Sequence, residues 1–210
     1  VDGLELAVCL DDIDGDGGFD TWLKNAPKEP VNFVRKATDI ITIPMTGGTT
    51  GLPKGVMLSD RNFQALSYAA ACDLNRGEDD IPVVLCAAPM THVGGRIAIT
   101  TMSLGCRYVI KDQIDPVDIL QTIQDEKITD LFLPPTAIYA LVAMPCVRDF
   151  DYSNLRQLFY GSAPMSISQL KKAIDVFGPV LSGGFAQTEC PMKLTELRPE
   201  DHFMDGKIAP

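Results

Sequence analysis

Basic side chains are scarce in this chain: 18 Lys and Arg stand against 28 Asp and Glu in 210 residues, a formal net charge of −10. A general nucleic-acid binder needs the opposite balance, so that class is excluded. Long apolar runs are also missing. Ile81 to Met90 is ten residues long and contains two prolines. A membrane span needs about 18 or more apolar residues, so this segment reads as a buried strand with its exit loop. No basic segment precedes an apolar one near Val1, so no signal peptide is legible. The six cysteines, at 9, 72, 86, 106, 146 and 190, never fall at CxxC spacing. Reduced, buried thiols in a cytoplasmic protein are therefore expected, not a disulfide framework. Histidine is limited to His92 and His202, and neither neighbours a cysteine, which argues against a Cys–His hydrolase.

The acidity itself is local. The first 20 residues hold six Asp, one Glu and no Lys or Arg, leaving 18 basic and 21 acidic groups in the remainder. Asp12, Asp14, Asp16, Gly17 and Asp20 imitate the opening of an EF-hand loop. Leu23, however, stands where that loop needs its bidentate glutamate, so a solvated acidic loop is the expectation.

What is present suits a globular body, since 46% hydrophobic and 22% charged residues can build a core. Residues 1–38 read as an acidic lead and proline-bearing linker. Residues 39–210 read as alternating strands and helices. Strands are expected over 39–44, 83–87, 106–110, 129–133 and 155–160, with another beginning at Val180. Helices are expected from Ser59 to Cys72, Gly95 to Leu104, Pro116 to Glu126, Thr136 to Met144 and Ser166 to Phe177. Such alternation predicts an α/β fold with a mainly parallel sheet flanked by helices on both faces. Residues 198–210 read as turn-rich, without a finishing strand.

The most informative segment follows the first of these strands. Thr46, Gly47, Gly48, Thr49, Thr50, Gly51, Leu52, Pro53, Lys54 and Gly55 combine four glycines, three threonines and a lysine. Glycines let backbone N–H groups approach phosphate oxygens, hydroxyls add donors, and Lys54 supplies charge. The loop is neither a Walker A motif, which ends G-K-[ST], nor a dinucleotide G-x-G-x-x-G fingerprint. A flexible surface turn is the alternative reading.

Met45 through Leu58, followed by Arg61 and Asn62, resembles the phosphate-loop signature of the adenylate-forming (AMP-binding) superfamily, most like bacterial fatty-acyl-CoA ligases. Gly47 stands where that family usually has serine. Later segments fall in the family's order. Ala88 to Gly94 resembles the motif whose histidine, here His92, lies near the acyl pocket. Gly161, Ser162, Ala163 and Pro164 resemble the loop beside adenine. Gly184, Phe185, Ala186, Gln187, Thr188 and Glu189 resemble the motif that stacks an aromatic ring on adenine, holds the AMP phosphate and binds Mg²⁺. Phe185-Ala186 replaces the family's commoner Tyr-Gly.

The resemblance implies ATP, Mg²⁺ and CoA as reaction partners. A fatty or other small carboxylic acid would form acyl-AMP and then a thioester. Lys54, Thr188 and Glu189 would be the catalytic groups, with Glu189 on the metal. His92, Val93, Gly94, Gly95, Ser182 and Gly183 would contact the acyl group. Relatives are two to three times longer, so the expectation is a part of the large N-terminal domain, inactive alone and dependent on the remaining domains. Surfaces left bare would allow homo-oligomers. Two further readings stay open: adenylation of an aromatic or amino acid, and a non-catalytic nucleotide-binding or structural module.

Overall fold

A computed structural model describes residues 18–30, 32–46, 52–74, 77 and 80–208. The acidic loop over 12–17 and the glycines and threonines of 47–51 lie outside them. The chain divides into two compact units, Val1–Arg35 and Lys36–Pro210. The first contains helix α1 (Phe19–Asn25), where Phe19 and Trp22 place their rings 5.8 Å apart.

The second unit opens with short strands β1 (Ile40–Thr42), β2 (Met45–Thr46), β3 (Lys54–Gly55) and β4 (Leu58–Ser59). β1 pairs with β4, and β2 pairs with β3, both antiparallel. The β2–β3 pairing sets Thr46 opposite Lys54, the residues on either side of the glycine-rich stretch. Helix α2 (Asp60–Leu74) follows. Its expected cap at Ser59 is present in altered form: Asn62 Oδ1 accepts from both the Ser59 backbone N–H and its hydroxyl, each at 2.8 Å. This is the returning half of a capping box, with asparagine in the glutamate's place.

Strands and helices then alternate: β5 (Val83–Cys86), α3 (Val93–Thr101), β6 (Arg107–Ile110), α4 (Pro116–Asp125), β7 (Asp130–Leu133), α5 (Pro135–Val142), β8 (Gln157–Tyr160), α6 (Ile167–Phe177), β9 (Leu181–Gln187) and β10 (Cys190–Leu197). Among the described residues they build a six-stranded sheet in the order β10-β9-β8-β7-β5-β6. All neighbours are parallel except β9–β10. The mainly parallel α/β expectation therefore holds, with one antiparallel edge. β10 is the strand that the sequence reading leaves out. A 3₁₀ turn (Glu200–His202) and the hairpin of β11 (Phe203–Met204) with β12 (Lys207–Ile208) close the chain, where no strand was expected.

Alternation along the strands sorts two layers. Leu85, Leu131, Leu133, Leu158 and Leu181 share one buried cluster with Ile119, Leu120 and Ile123 of α4, Ile138 and Leu141 of α5, and Leu170, Ala173 and Phe177 of α6. Val84, Phe132 and Phe159 point to the other face, toward Leu66 and Ala70 of α2 and Ile97 of α3. Pro116 occupies the first turn of α4, and Asp115 caps it by accepting from the Asp118 N–H at 2.9 Å. Ser166 precedes α6 but makes no side-chain cap; its hydroxyl lies 3.3 Å from that of Ser168. That expected cap is a position only, without the bond. No helix among the described residues is long and apolar enough to cross a membrane, and the five described cysteines are free.

Candidate functional site

β5 and β7 are adjacent, yet the chain leaves β5 for β6 on one side and leaves β7 for β8 on the other. Connections that diverge in this way open a crevice beyond the carboxyl ends of parallel strands, where ligands bind in open α/β sheets. A cavity of about 180 Å³ lies there. Its wall takes His92, Val93, Arg96 and Ile97 from the start of α3, and Phe132 and Phe159 from β7 and β8. Gly161 and Ser162 come from the loop after β8; Gly184, Ala186, Gln187 and Thr188 from β9 and its turn; and Pro191 and Met192 from β10. Three segments separated by up to 96 positions, those of His92, Gly161 and Thr188, thus meet in one place.

Local backbone explains why these residues stand there. Ser162 (φ 69°) and Met192 (φ 76°) are both left-handed non-glycine residues in the cavity wall. Such conformations cost free energy and gather at binding sites. Met192 sits where the β9–β10 register shifts between Cys190 and Thr195, so an irregularity turns β10 into the wall. Gly184 packs against a ring: a β-carbon there would lie 2.2 Å from Phe159 Cζ.

The other expected site residues among those described, Thr188 apart, do not line this cavity. Gly94 and Gly95 are buried in the first turn of α3, where a β-carbon on Gly95 would meet the Met90 carbonyl oxygen at 2.0 Å. Their place is to let the loop after β5 close on the helix. Ser182 is fully buried within β9 and accepts from Gln157 Nε2 at 3.0 Å; Gly183 is buried beside it. Neither lines a described cavity. Phe185 is 60% exposed and does not line the cavity that its neighbours Gly184 and Ala186 line. Ala163 and Pro164 are exposed in the loop after β8. Thr188 and Glu189 form the two-residue turn between β9 and β10, with Glu189 exposed. Lys54 is exposed on β3, and its carbonyl accepts from the Thr46 hydroxyl at 3.2 Å. Gly47, Gly48, Thr49, Thr50 and Gly51 lie outside the described residues.

A second cavity, about 90 Å³, adjoins the first and shares Ile97, Phe132, Phe159 and Met192 with it. Leu66, Ala69, Ala70, Leu74 and Val84 make it apolar, while Asp73, Lys193 and Glu196 rim it. Lys193 pairs with Asp73 and, at 2.6 Å, with Glu196. Among the described residues no group of three or more His, Cys, Asp or Glu could hold a metal ion. A lone exposed Glu189 fits Mg²⁺ only in the mode where substrate phosphates and water supply the other oxygens.

Arg96 is the site residue that sequence reading missed. Its spacing from His92, one helical turn, was the available signal. Burial pushes its pKa down from the ordinary arginine value. His202 proves structural: the ring is 2% exposed, Nδ1 donates to the Arg198 carbonyl at 2.8 Å, and Nε2 accepts from Tyr160 Oη at 3.1 Å.

Comparison with known proteins agrees with this architecture. The family described as AMP-binding enzyme matches residues 5–209. A medium/long-chain-fatty-acid–CoA ligase, FadD8 of Mycobacterium tuberculosis, is 32% identical over 166 residues, 78% of this chain and 28% of the relative. The 4-coumarate–CoA ligase 5 of Oryza sativa subsp. japonica is 35% identical over 162 residues, 73% of this chain and 29% of the relative. The structure of the amide bond synthetase McbA from Marinactinospora thermotolerans superposes with a TM-score of 0.74 at 30% identity, covering 84% of this chain and 35% of that one. This chain spans less than a third of the length of those two curated relatives. Fatty-acid and aryl-acid ligases both stand among them, so the fatty-acyl branch is not singled out. With the carboxyl-end cavity and these matches together, the chain belongs to the AMP-binding enzyme family, related to several acyl- and aryl-acid–CoA ligases.

Proposed function

We propose that the protein carrying this chain is an ATP-dependent carboxylate–CoA ligase, with an aryl acid as the favoured substrate class. The observation that carries this reading is the joining of the His92, Gly161–Ser162 and Gly184–Thr188 segments in one cavity at the carboxyl ends of the sheet. The acid's carboxylate oxygen attacks the α-phosphorus of ATP, the bond to the β-phosphate oxygen breaks, and pyrophosphate leaves. The CoA thiol then loses its proton and its sulfur bonds to the acyl carbon, and AMP departs with the bond electrons.

The chain's residues have defined tasks in this proposal. The 47–51 loop, Thr46 and Lys54 hold the departing phosphates, and Thr188 orients the α-phosphate. Gly161, Ser162, Ala163 and Pro164 border adenine, with Phe185 and Gln187 on its other side. Glu189 supplies one oxygen to Mg²⁺, which when bound neutralises charge building on the phosphates. His92 and Val93 stand at the acyl entrance, and the adjoining apolar cavity receives the acyl body.

Phe132 and Phe159, with ring centroids 6.0 Å apart and planes tilted by 37°, give that cavity an aromatic wall suited to an aryl ring. Similarity to the rice 4-coumarate ligase favours the same class. A straight-chain fatty acid is the second reading, favoured by similarity to FadD8.

The test is acid-dependent pyrophosphate release by the full-length protein, comparing hydroxycinnamic with straight-chain acids. Release with aryl acids and a KM for ATP raised about tenfold or more by Lys54→Ala are expected. Unchanged ATP dependence in that variant would contradict the phosphate-loop assignment.

A further inference from the structure

Several cationic side chains of this molecule stand in ion pairs. Arg107 pairs with Glu126, Lys111 with Asp118, Arg148 with Asp175, Arg156 with Asp80, and Lys193 with Asp73 and Glu196. Arg96 differs in its place: among the described residues it is the one Lys or Arg lining the cavity at the carboxyl ends of the sheet, and it stands there without an ion pair. It lines the larger cavity, and no Asp or Glu lines that cavity with it. Its neighbours there include Val93, Ile97, Phe132 and Phe159. The guanidinium is partly buried and its pKa is lowered by desolvation, yet arginine stays charged at neutral pH. A charge drawn from water without a partner costs free energy, and an incoming anion offsets that cost.

We propose that Arg96 is the receptor for a second carboxylate on the acid substrate, so that the enzyme prefers a dicarboxylic acid with an apolar body. The inference rests on the ligase reading above and names its substrate more narrowly. Three considerations select this anion. Carboxylate matches the planar guanidinium fork, which can hold both oxygens at once. The reacting carboxylate is a poor candidate, because adenylation removes its charge. A fixed cation beside it would favour the ground state over the acyl-adenylate and slow the first step. A second carboxylate keeps its charge through both steps, so pairing with Arg96 tightens binding without penalising either. Finally, Ile97, the next residue on α3, lines both cavities. An acid could therefore place its apolar body in the smaller cavity and its distal anion on Arg96.

The experiment compares matched acids, benzoic with benzene-dicarboxylic and hexanoic with hexanedioic, by pyrophosphate release from the full-length protein. Wild type, Arg96→Met and Arg96→Lys are used. The expected wild-type kcat/KM favours the diacid. Arg96→Met lowers the diacid value about 10- to 100-fold more than the monoacid value, through KM. Arg96→Lys retains part of the preference, since it keeps the charge without the fork. The proposal is overturned by a wild type with no diacid preference, by equal losses for both acids in Arg96→Met, or by a raised KM for ATP alone. If no acid releases pyrophosphate, the ligase reading fails. Calorimetric binding of the diacids then decides Arg96 separately: binding by wild type and not by Arg96→Met upholds it, and equal or absent binding overturns it.

Discussion

Gly184 shows how closely the site depends on single atoms. The residue faces the edge of Phe159, and a methyl there would enter the ring's volume, with 2.2 Å to Cζ and 2.8 Å to Cε2. Phe159 packs its ring against Phe132 and lines both cavities, so it gives way only by leaving that contact and entering the site. Gly184→Ala is therefore expected to destabilise the fold by about 1–3 kcal/mol, measured by urea denaturation, and to weaken acid-dependent turnover by displacing the ring. Unchanged stability and turnover would show that the contact is slack. Arg96 teaches the complementary lesson. In a string of small residues around Gly94 and Gly95, its charge reads as a solvated helix position. Only the shared cavity that α3 lines with residues of β7, β8 and β9 gives it a site, and that convergence is non-local.

At the scale of elements, β10 is where sequence and structure part. Pro191 breaks its alternation, and Met192 takes a left-handed conformation that no strand pattern anticipates. Its existence depends on pairing with the glycine-bearing β9 and on contact with α2 and α3. Lys193 secures that contact through Asp73 of α2 and Glu196 of its own strand. Replacing Lys193 with Met removes the shared cation and leaves two partly buried carboxylates facing each other. A loss of about 1–2 kcal/mol is expected, smaller than for a fully buried pair because all three groups touch solvent. A denaturation midpoint equal to wild type would contradict it. By contrast, α4 was readable almost to the residue, because Asp115 and Pro116 are local signals that need no distant partner. The β5, β7 and β8 strands were legible for a similar reason: each carries a short local apolar run, Val83–Cys86, Leu131–Leu133 and Leu158–Phe159. The hairpin of β11 and β12, only two residues a side, offers no pattern long enough to read.

The whole molecule has an alkaline limit built into its tyrosines. Burial pushes Tyr108 up to about 12, with neighbouring thiols adding to the effect and a Thr101 hydrogen bond opposing it. Burial also pushes Tyr152 up to about 12, helped by Cys146 and Asp149. The folded state thus holds these protons where the unfolded chain, near 10, has begun to release them. Their contribution to stability is complete below pH 10 and declines as pH rises toward 12. Tyr152→Phe, which removes the ionisable group while keeping the ring against Phe177, should flatten that decline in urea titrations between pH 10 and 12. An equally steep fall in the variant would assign the limit elsewhere.

The central claim is that the His92, Gly161 and Gly184–Thr188 segments form one adenylate site. Hydrogen exchange of the full-length protein, with and without a non-hydrolysable acyl-adenylate analogue, tests it most directly. The account predicts slowed exchange together at residues 92–97, 161–162 and 184–188. Protection confined to other segments, with these three unchanged under saturating analogue, would contradict it.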